Sequence, residues 1–546
     1  MQRSARVLAL LLLVVLGILA IPSHLTHHVI AGNTQGNCTF SNGHTCPPPP
    51  PPPPLVGEFG GPLAGLSSSI TNLFNGGYGT FVVKWDPVRG LGPVFTQPGC
   101  FTCHGAGINV LTGTAGDTGP LTGTRYGKWN SDGTFNYLDG NGTFPENEGG
   151  PTLHGASNAA FGTLPGCNQM TVAASPGGAV ESGSTVTITT TAAHKFKVGQ
   201  MAQILNVPVS GYNGQFTIVS IPSSTTFTYT NTVTGLADSG GGTAQNLPHE
   251  VVPADATVVS TVRSPQLFGL GLVDNIPDSA ILANVGHAGN TLGISGVANM
   301  VPDENGVIRP GKFGQKLNSV SLFQFTFNAE FNELGITNNS GPFGIASQFF
   351  QNEHAPQGLS YPSACQSDTN SPQDVDQANM IKMTQFEALL APIPPQPSNS
   401  SIAAGLVVFN NLGCSVCHME SFTTQANVKL KTTSGGQTAV IPSLSNVTFN
   451  PYSDFLLHDM GAGDSGGIPF QPGGTGQATL TMWRTAPLWG LNNALAKSGG
   501  LMHDNGSATI TDAINRHGGE ATAVMTNFQG LNSTDSSNLM AFLGSL

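Results

Sequence analysis

Charged side chains are scarce in this chain. Asp, Glu, Lys and Arg make up 9% of 546 residues, and 18 basic groups face 30 acidic ones, for a net charge of −12. Nucleic acid selects basic faces, so this balance argues against it as a partner. The apolar run near the start, Val7 to Ile21, spans fifteen residues and falls short of the ~20 that cross a bilayer as a helix. Arg3 and Arg6 precede it in the order of a secretory signal, and no cysteine follows closely enough for a lipid anchor. Residues 1–30 are therefore expected to be a signal peptide or an uncleaved amino-terminal anchor. Cysteine is also sparse, at 8 residues, which makes any close pair informative.

Two close pairs carry the same word, Cys100-Phe-Thr-Cys103-His104 and Cys414-Ser-Val-Cys417-His418. Thiols three positions apart lie one helical turn from each other, so each can form a thioether to one vinyl group of a porphyrin while the adjoining imidazole ligates the iron. Chance at this composition yields roughly 0.003 copies. A zinc site would need further Cys or His at ligand spacing, and neither copy has such a companion. The surroundings repeat as well, Val94-Phe95 before Gly99 and Val408-Phe409 before Gly413. The chain thus reads as binding two covalently attached haems c, through Cys100, Cys103 and His104 and through Cys414, Cys417 and His418, with His104 and His418 as iron ligands.

In bacteria such attachment takes place outside the cytoplasmic membrane, which agrees with export to the periplasm or beyond. The remaining cysteines, Cys38, Cys46, Cys167 and Cys365, are even in number, as suits an oxidising compartment. Cys38 with Cys46 and Cys167 with Cys365 is the first pairing to expect, with connectivity left open.

Residues 31–59 read as a tether, with eight consecutive prolines from Pro47 to Pro54 favouring an extended polyproline helix. A first haem region is expected over 60–170 and 246–390, opening on a helical stripe of Ile70, Leu73 and Phe74. Between its halves, residues 171–245 alternate with period two, as in Val186-Thr-Ile188 and Phe227-Thr-Tyr229, with Asn213-Gly214 as a hairpin turn. This predicts a small all-β domain, without clustered ionisable groups, inserted in the first haem region. Residues 391–546 form the second haem region, with a helix from Ser398 leading into Cys414. A last helix carries Leu539, Phe542, Leu543 and Leu546 on one face, capped by Ser533 or Thr534. The expected fold class is mainly α with much irregular structure.

Several blocks together carry a family resemblance: Arg263-Ser-Pro-Gln-Leu-Phe-Gly269, Gly293-Ile-Ser-Gly296, Lys312-Phe-Gly314, Tyr452-Ser-Asp-Phe-Leu-Leu-His458-Asp-Met460, Arg484-Thr-Ala-Pro-Leu-Trp-Gly490 and His517-Gly-Gly-Glu520. The chain resembles the bacterial di-haem c-type oxidoreductases of the peroxidase type, relatives of the di-haem cytochrome c peroxidases and the methylamine-utilisation di-haem enzymes. The likeness covers nearly all of the mature chain except the tether and the β stretch. It implies two cytochrome c-like haem domains, the first peroxidatic and the second relaying electrons, with a calcium ion between them.

In those relatives a Gln and a Glu ten positions on act over the open iron face. The nearest match is Gln324 with Glu333, one residue short, and these are the catalytic candidates. A carboxylate there can move a proton between the two oxygens of a peroxide. The second axial ligand of the carboxy-terminal haem, a Met in the relatives, corresponds to His517, with Met460 and Met482 as runners-up. His458, His503 and Arg484 are expected as contacts to the ligands or the haem propionates. The relatives also place a Trp between the haems; the comparable stretch, Val273 to Ser279, has none, while Trp483 and Trp489 lie near the second haem in sequence.

The expected activity is reduction of hydrogen peroxide at the Cys100 haem, with electrons from a small cytochrome or cupredoxin entering through the Cys414 haem. The alternatives are a non-catalytic electron carrier and an oxidase of an organic or protein substrate.

Overall fold

In the computed structural model, the described residues comprise most of 60–108, 122–132, 169–247, 256–336 and 377–546, with 135–136 and 156–157. The signal or anchor, the tether, Cys38, Cys46, Cys167 and Cys365 lie outside them. Among the described residues no helix is long and apolar enough to cross a membrane.

The fold mixes both kinds of secondary structure, with 32% helix and 22% strand, which corrects the expectation of a mainly α protein built of two cytochrome c-like domains with a small β insert. The strands from Gln169 to Leu247 form one curled antiparallel sheet of seven, in the spatial order Gln169–Thr171, Thr243–Leu247, Met201–Leu205, Gly214–Ser223, Thr226–Thr230, Thr185–Thr189, Ala179–Ser182. Its β-branched and aromatic residues alternate in and out, and the inward set, including Val186, Ile188, Ile204, Ile218, Phe227 and Tyr229, closes a core of its own. Asn213-Gly214 does not make the expected tight turn. The Asn213 side chain instead accepts a hydrogen bond from Val207 N at 2.9 Å and donates to Val207 O at 2.8 Å, so a loop with a 3₁₀ turn joins the strands.

A second departure lies in the stretch after His104, read as Gly-rich loop. Strand Thr122–Trp129 sits there, paired antiparallel with Val258–Arg263. Pairing across more than a hundred residues leaves little local trace, because each partner alone is a short polar alternation.

The helices pack mainly on one another. α1 (Ser68–Phe81) packs on α6 (Gln377–Leu389), with α2 (Cys100–Ile108), α3 (Leu270–Asp274), α4 (Asp278–Leu282) and α5 (Leu322–Leu334) between them in sequence. Further on, α7 (Ser400–Leu412) crosses α11 (Ser533–Leu543), after α8 (Leu491–Ser498), α9 (Ile510–Asn515) and α10 (Thr522–Gln529). Both crossings are close enough to require glycine. A Cβ on Gly77 would fall 2.1 Å from Lys382 O, and one on Gly405 2.0 Å from Asn538 O. The stripe of α11 is buried, and its cap is Asn532, one residue before the expected pair, accepting from Asp535 N.

Candidate functional site

The second Cys-x-x-Cys-His word begins where α7 ends. Gly413 closes the helix in the left-handed conformation, at φ 93°, and turns the chain into a 3₁₀ turn at Cys414–Val416. Cys414 and Cys417 are not bonded to each other. The His418 side chain is half-buried, with Nδ1 2.9 Å from Tyr452 O. A carbonyl only accepts, so Nδ1 carries the proton and Nε2 is the ligating nitrogen. Burial, reinforced by the neighbouring His517, lowers the pKa of His418 to about 4, and the ring is therefore neutral near pH 7.

The end of α9 brings His517 to the same cavity, its Nδ1 2.8 Å from Ala513 O, so it presents the same tautomer. The two ring centroids stand 6.4 Å apart. Taking metal–imidazole bonds of about 2 Å and ring centres roughly 1.1 Å behind the nitrogens, one ion between two imidazoles sets centroids about 6.2 Å apart. Apolar residues, among them Leu270, Phe409, Leu412, Leu501 and Phe528, line the cavity around the pair. Arg263 and Arg484 reach it too, both lowered by burial, Arg484 to about 10. Arg484 Nε is buried without a hydrogen-bond partner among the described residues. An apolar slot with an imidazole on each side and a buried guanidinium awaiting an anion fits a haem and its propionates.

Met460 lines the same cavity, whereas Met482 packs against a separate cluster around Val301 and Leu317. His503 stacks on Trp483 at 4.5 Å, with its Nε2 3.0 Å from Arg484 O, and Lys316 Nζ sits 3.6 Å over the same indole. Trp489 lies on the cavity wall against Phe268 and Phe449. His458 is buried beside Cys417, its Nδ1 3.7 Å from the sulfur. Burial alone would lower its pKa, but Asp454, Cys417 and Glu520 outweigh that and raise it to about 12.

The first word opens α2. Cys100 and Cys103 are likewise unbonded to each other. Burial lowers His104 to about 4 against the opposing pull of Glu333 and a backbone hydrogen bond at Pro265. What differs is the company. Burial pushes the Cys100 thiol up, and so do the carboxyls of Glu330 and Glu387. Glu330 is 1% exposed. Glu387 is raised by burial to about 7, even though Thr326 Oγ1 donates to it at 2.5 Å. Glu333, a third exposed, accepts from buried Arg125 at 3.3 Å.

Glu333 therefore stands at the first word, close enough to act on His104 and Cys103. Gln324 does not accompany it. Nine residues earlier on α5, about 13 Å along the axis, its amide is taken up by backbone: Oε1 accepts from Val320 N at 2.8 Å and Nε2 donates to Pro302 O at 3.1 Å. Sequence reasoning missed Glu330 and Glu387. The available signal was Thr326 and Glu330, four apart on an otherwise phenylalanine-rich helix whose inward face is buried.

Among the described residues one group of side chains could hold a metal ion, His287, Asp454 and His458. Two imidazoles and a carboxylate do not suit calcium, which takes six to eight oxygens.

A family profile described as "Di-haem oxidoreductase, putative peroxidase" matches residues 226–546. No curated protein matches. Among solved structures, hydrazine synthase of Kuenenia stuttgartiensis, pressurized with xenon, is similar at 15% identity and a TM-score of 0.19, over 31% of this chain and 55% of that one. The chain thus spans about half the length of that structure.

Proposed function

We propose, from the premise that the chain belongs to the di-haem oxidoreductase family, that it is an exported c-type enzyme reducing hydrogen peroxide at the haem on Cys100 and Cys103. The overall reaction consumes two electrons and two protons per peroxide and yields two waters. A small cytochrome or cupredoxin supplies the electrons, and the haem on Cys414 and Cys417 passes them on.

The observation that carries this division is the His418–His517 pair, 6.4 Å apart across one cavity. His418 and His517 would hold the haem iron between them, and a group held so would supply electron transfer with no site left for peroxide. The reactive centre is then the one held by His104. At that end Glu333 serves as the base that moves a proton between the peroxide oxygens. Glu387, poised near pH 7, holds a second proton close by. Covalent attachment rests on the two unbonded thiol pairs, and placement outside the cytoplasmic membrane on the Val7–Ile21 run.

Electron paramagnetic resonance and optical titration of the purified protein with hydrogen peroxide tests the reading. One low-spin centre and one that reacts rapidly with peroxide, the latter lost in Cys100→Ala, is the expected result. Two low-spin centres inert to peroxide in every redox state would leave an electron carrier. Peroxide consumption that depends on an organic or protein donor would make the enzyme an oxidase of that donor.

A further inference from the structure

Beside the second word lies a buried group that neither haem attachment nor peroxide reduction uses. His287 comes from the loop after α4, Asp454 and His458 from the segment running into strand Leu457–Asp459. One ligand atom from each lies within 4.8 Å of the others. Nε2 of His287 and Nε2 of His458 both stand 2.9 Å from the same oxygen, Asp454 Oδ2. We propose that these three residues bind one divalent transition cation, zinc by preference.

The geometry is close to what such an ion needs. Tetrahedral coordination with bonds of 2.0–2.1 Å sets ligand atoms about 3.3 Å apart, so the two contacts need open by only a few tenths of an ångström. Asp454 is fully buried and its other oxygen, Oδ1, accepts from Leu456 N at 2.9 Å, which leaves Oδ2 as a single anionic ligand.

Glu520 completes the arrangement from behind. Its carboxylate lies 2.9 Å from His458 Nδ1, so it fixes the ring with Nε2 aimed at Asp454. It is itself pinned by Ser295 N at 2.9 Å, Ser295 Oγ at 3.1 Å and Gly296 N at 3.2 Å. A carboxylate holding the far nitrogen of an imidazole is a recurrent support of metal-bound histidine, because it sets the tautomer and strengthens the ligand. The main chain closes the site at Gly296, φ 57°, where a Cβ would lie 2.8 Å from His458 Cε1 and 3.0 Å from His287 Nε2. That roof and Leu456 leave little room for the extra ligands of an octahedral ion, which favours zinc over iron(II). Bound there, the ion would tie residue 287 to Asp454, 167 positions on and two residues after Tyr452, whose carbonyl orients His418.

The test uses the full-length haem-loaded protein, incubated with Zn2+ and desalted. Zinc and iron are counted by elemental analysis and haem by the pyridine haemochrome, so absence of haem and absence of zinc register separately. Wild type is expected to retain about one zinc per chain and to lose thermal stability when dipicolinate removes it. His287→Ala and Asp454→Asn should lose the zinc and the chelator response while keeping their haem. Glu520→Gln, the mildest change, should weaken zinc binding about 10- to 100-fold. Wild type that keeps less than about a tenth of a zinc per chain after this incubation overturns the proposal. So does His287→Ala or Asp454→Asn that retains as much zinc as wild type. Because the wild-type count decides by itself, a variant that fails to fold leaves the outcome intact.

Discussion

The two Cys-x-x-Cys-His words share their spacing, a preceding glycine and a neutral imidazole near pKa 4, but the groups that face them differ. Around Cys414 the chain sets a second histidine, apolar walls and a charge cluster balanced by its own partners. Around Cys100 it sets Glu330, Glu333 and Glu387, one of them near neutral pKa. The word is therefore common to both, and the surroundings that distinguish the two ends come from α5, α6 and the turn after α9.

The severest way to break the comparison is to remove the thiols of one word. Cys100→Ala with Cys103→Ala should halve the haem content per chain and abolish peroxide turnover, whereas Cys414→Ala with Cys417→Ala should halve the haem but leave a centre that still reacts with peroxide in a stopped-flow spectrum. Glu333→Gln should keep both haems and lower turnover by about 10²- to 10⁴-fold, the range of a lost general base. An unchanged steady-state rate would remove Glu333 from the chemistry.

His517 sharpens the contrast from the other side. His517→Ala should turn the second centre high-spin and open to peroxide, so that the two ends become alike. His517→Met should remain low-spin and raise the midpoint potential of that centre by on the order of 0.2 V, read by spectroelectrochemistry.

The smallest expected effect concerns stability. Glu387 is raised from 4.5 to about 7 in the folded chain, so its contribution is fully present below pH 4.5 and is lost as pH rises through about 7. Across that window wild type should lose on the order of 3 kcal/mol relative to Glu387→Gln, measured as the difference between the two unfolding curves.

What could be read from the residues alone follows the range of the interactions. Cys100 to His104 and Cys414 to His418 stand out in the sequence because the repeated word has a fixed local spacing. The stripe of α11 was legible for a similar reason, periodicity being local. Asp454 and His287 were not, since 167 positions separate them and only the folded chain shows them on one oxygen. The fold class was misjudged through the same limit: Thr122–Trp129 carries glycine and threonine like a loop and becomes a strand only against Val258–Arg263. Asn213 erred in the other direction, a strong local turn signal overridden when its amide bonded Val207 instead.

His418 and His517 are each steadied by a peptide carbonyl, of Tyr452 and of Ala513. A peptide group neither gains nor loses a proton anywhere in the range where proteins stay folded, and it cannot draw a ligand towards imidazolate as a carboxylate partner would. The tautomer each ring presents is thereby fixed by a partner that does not titrate, whereas the neighbours of the other word, Glu330, Glu333 and Glu387, are carboxyls.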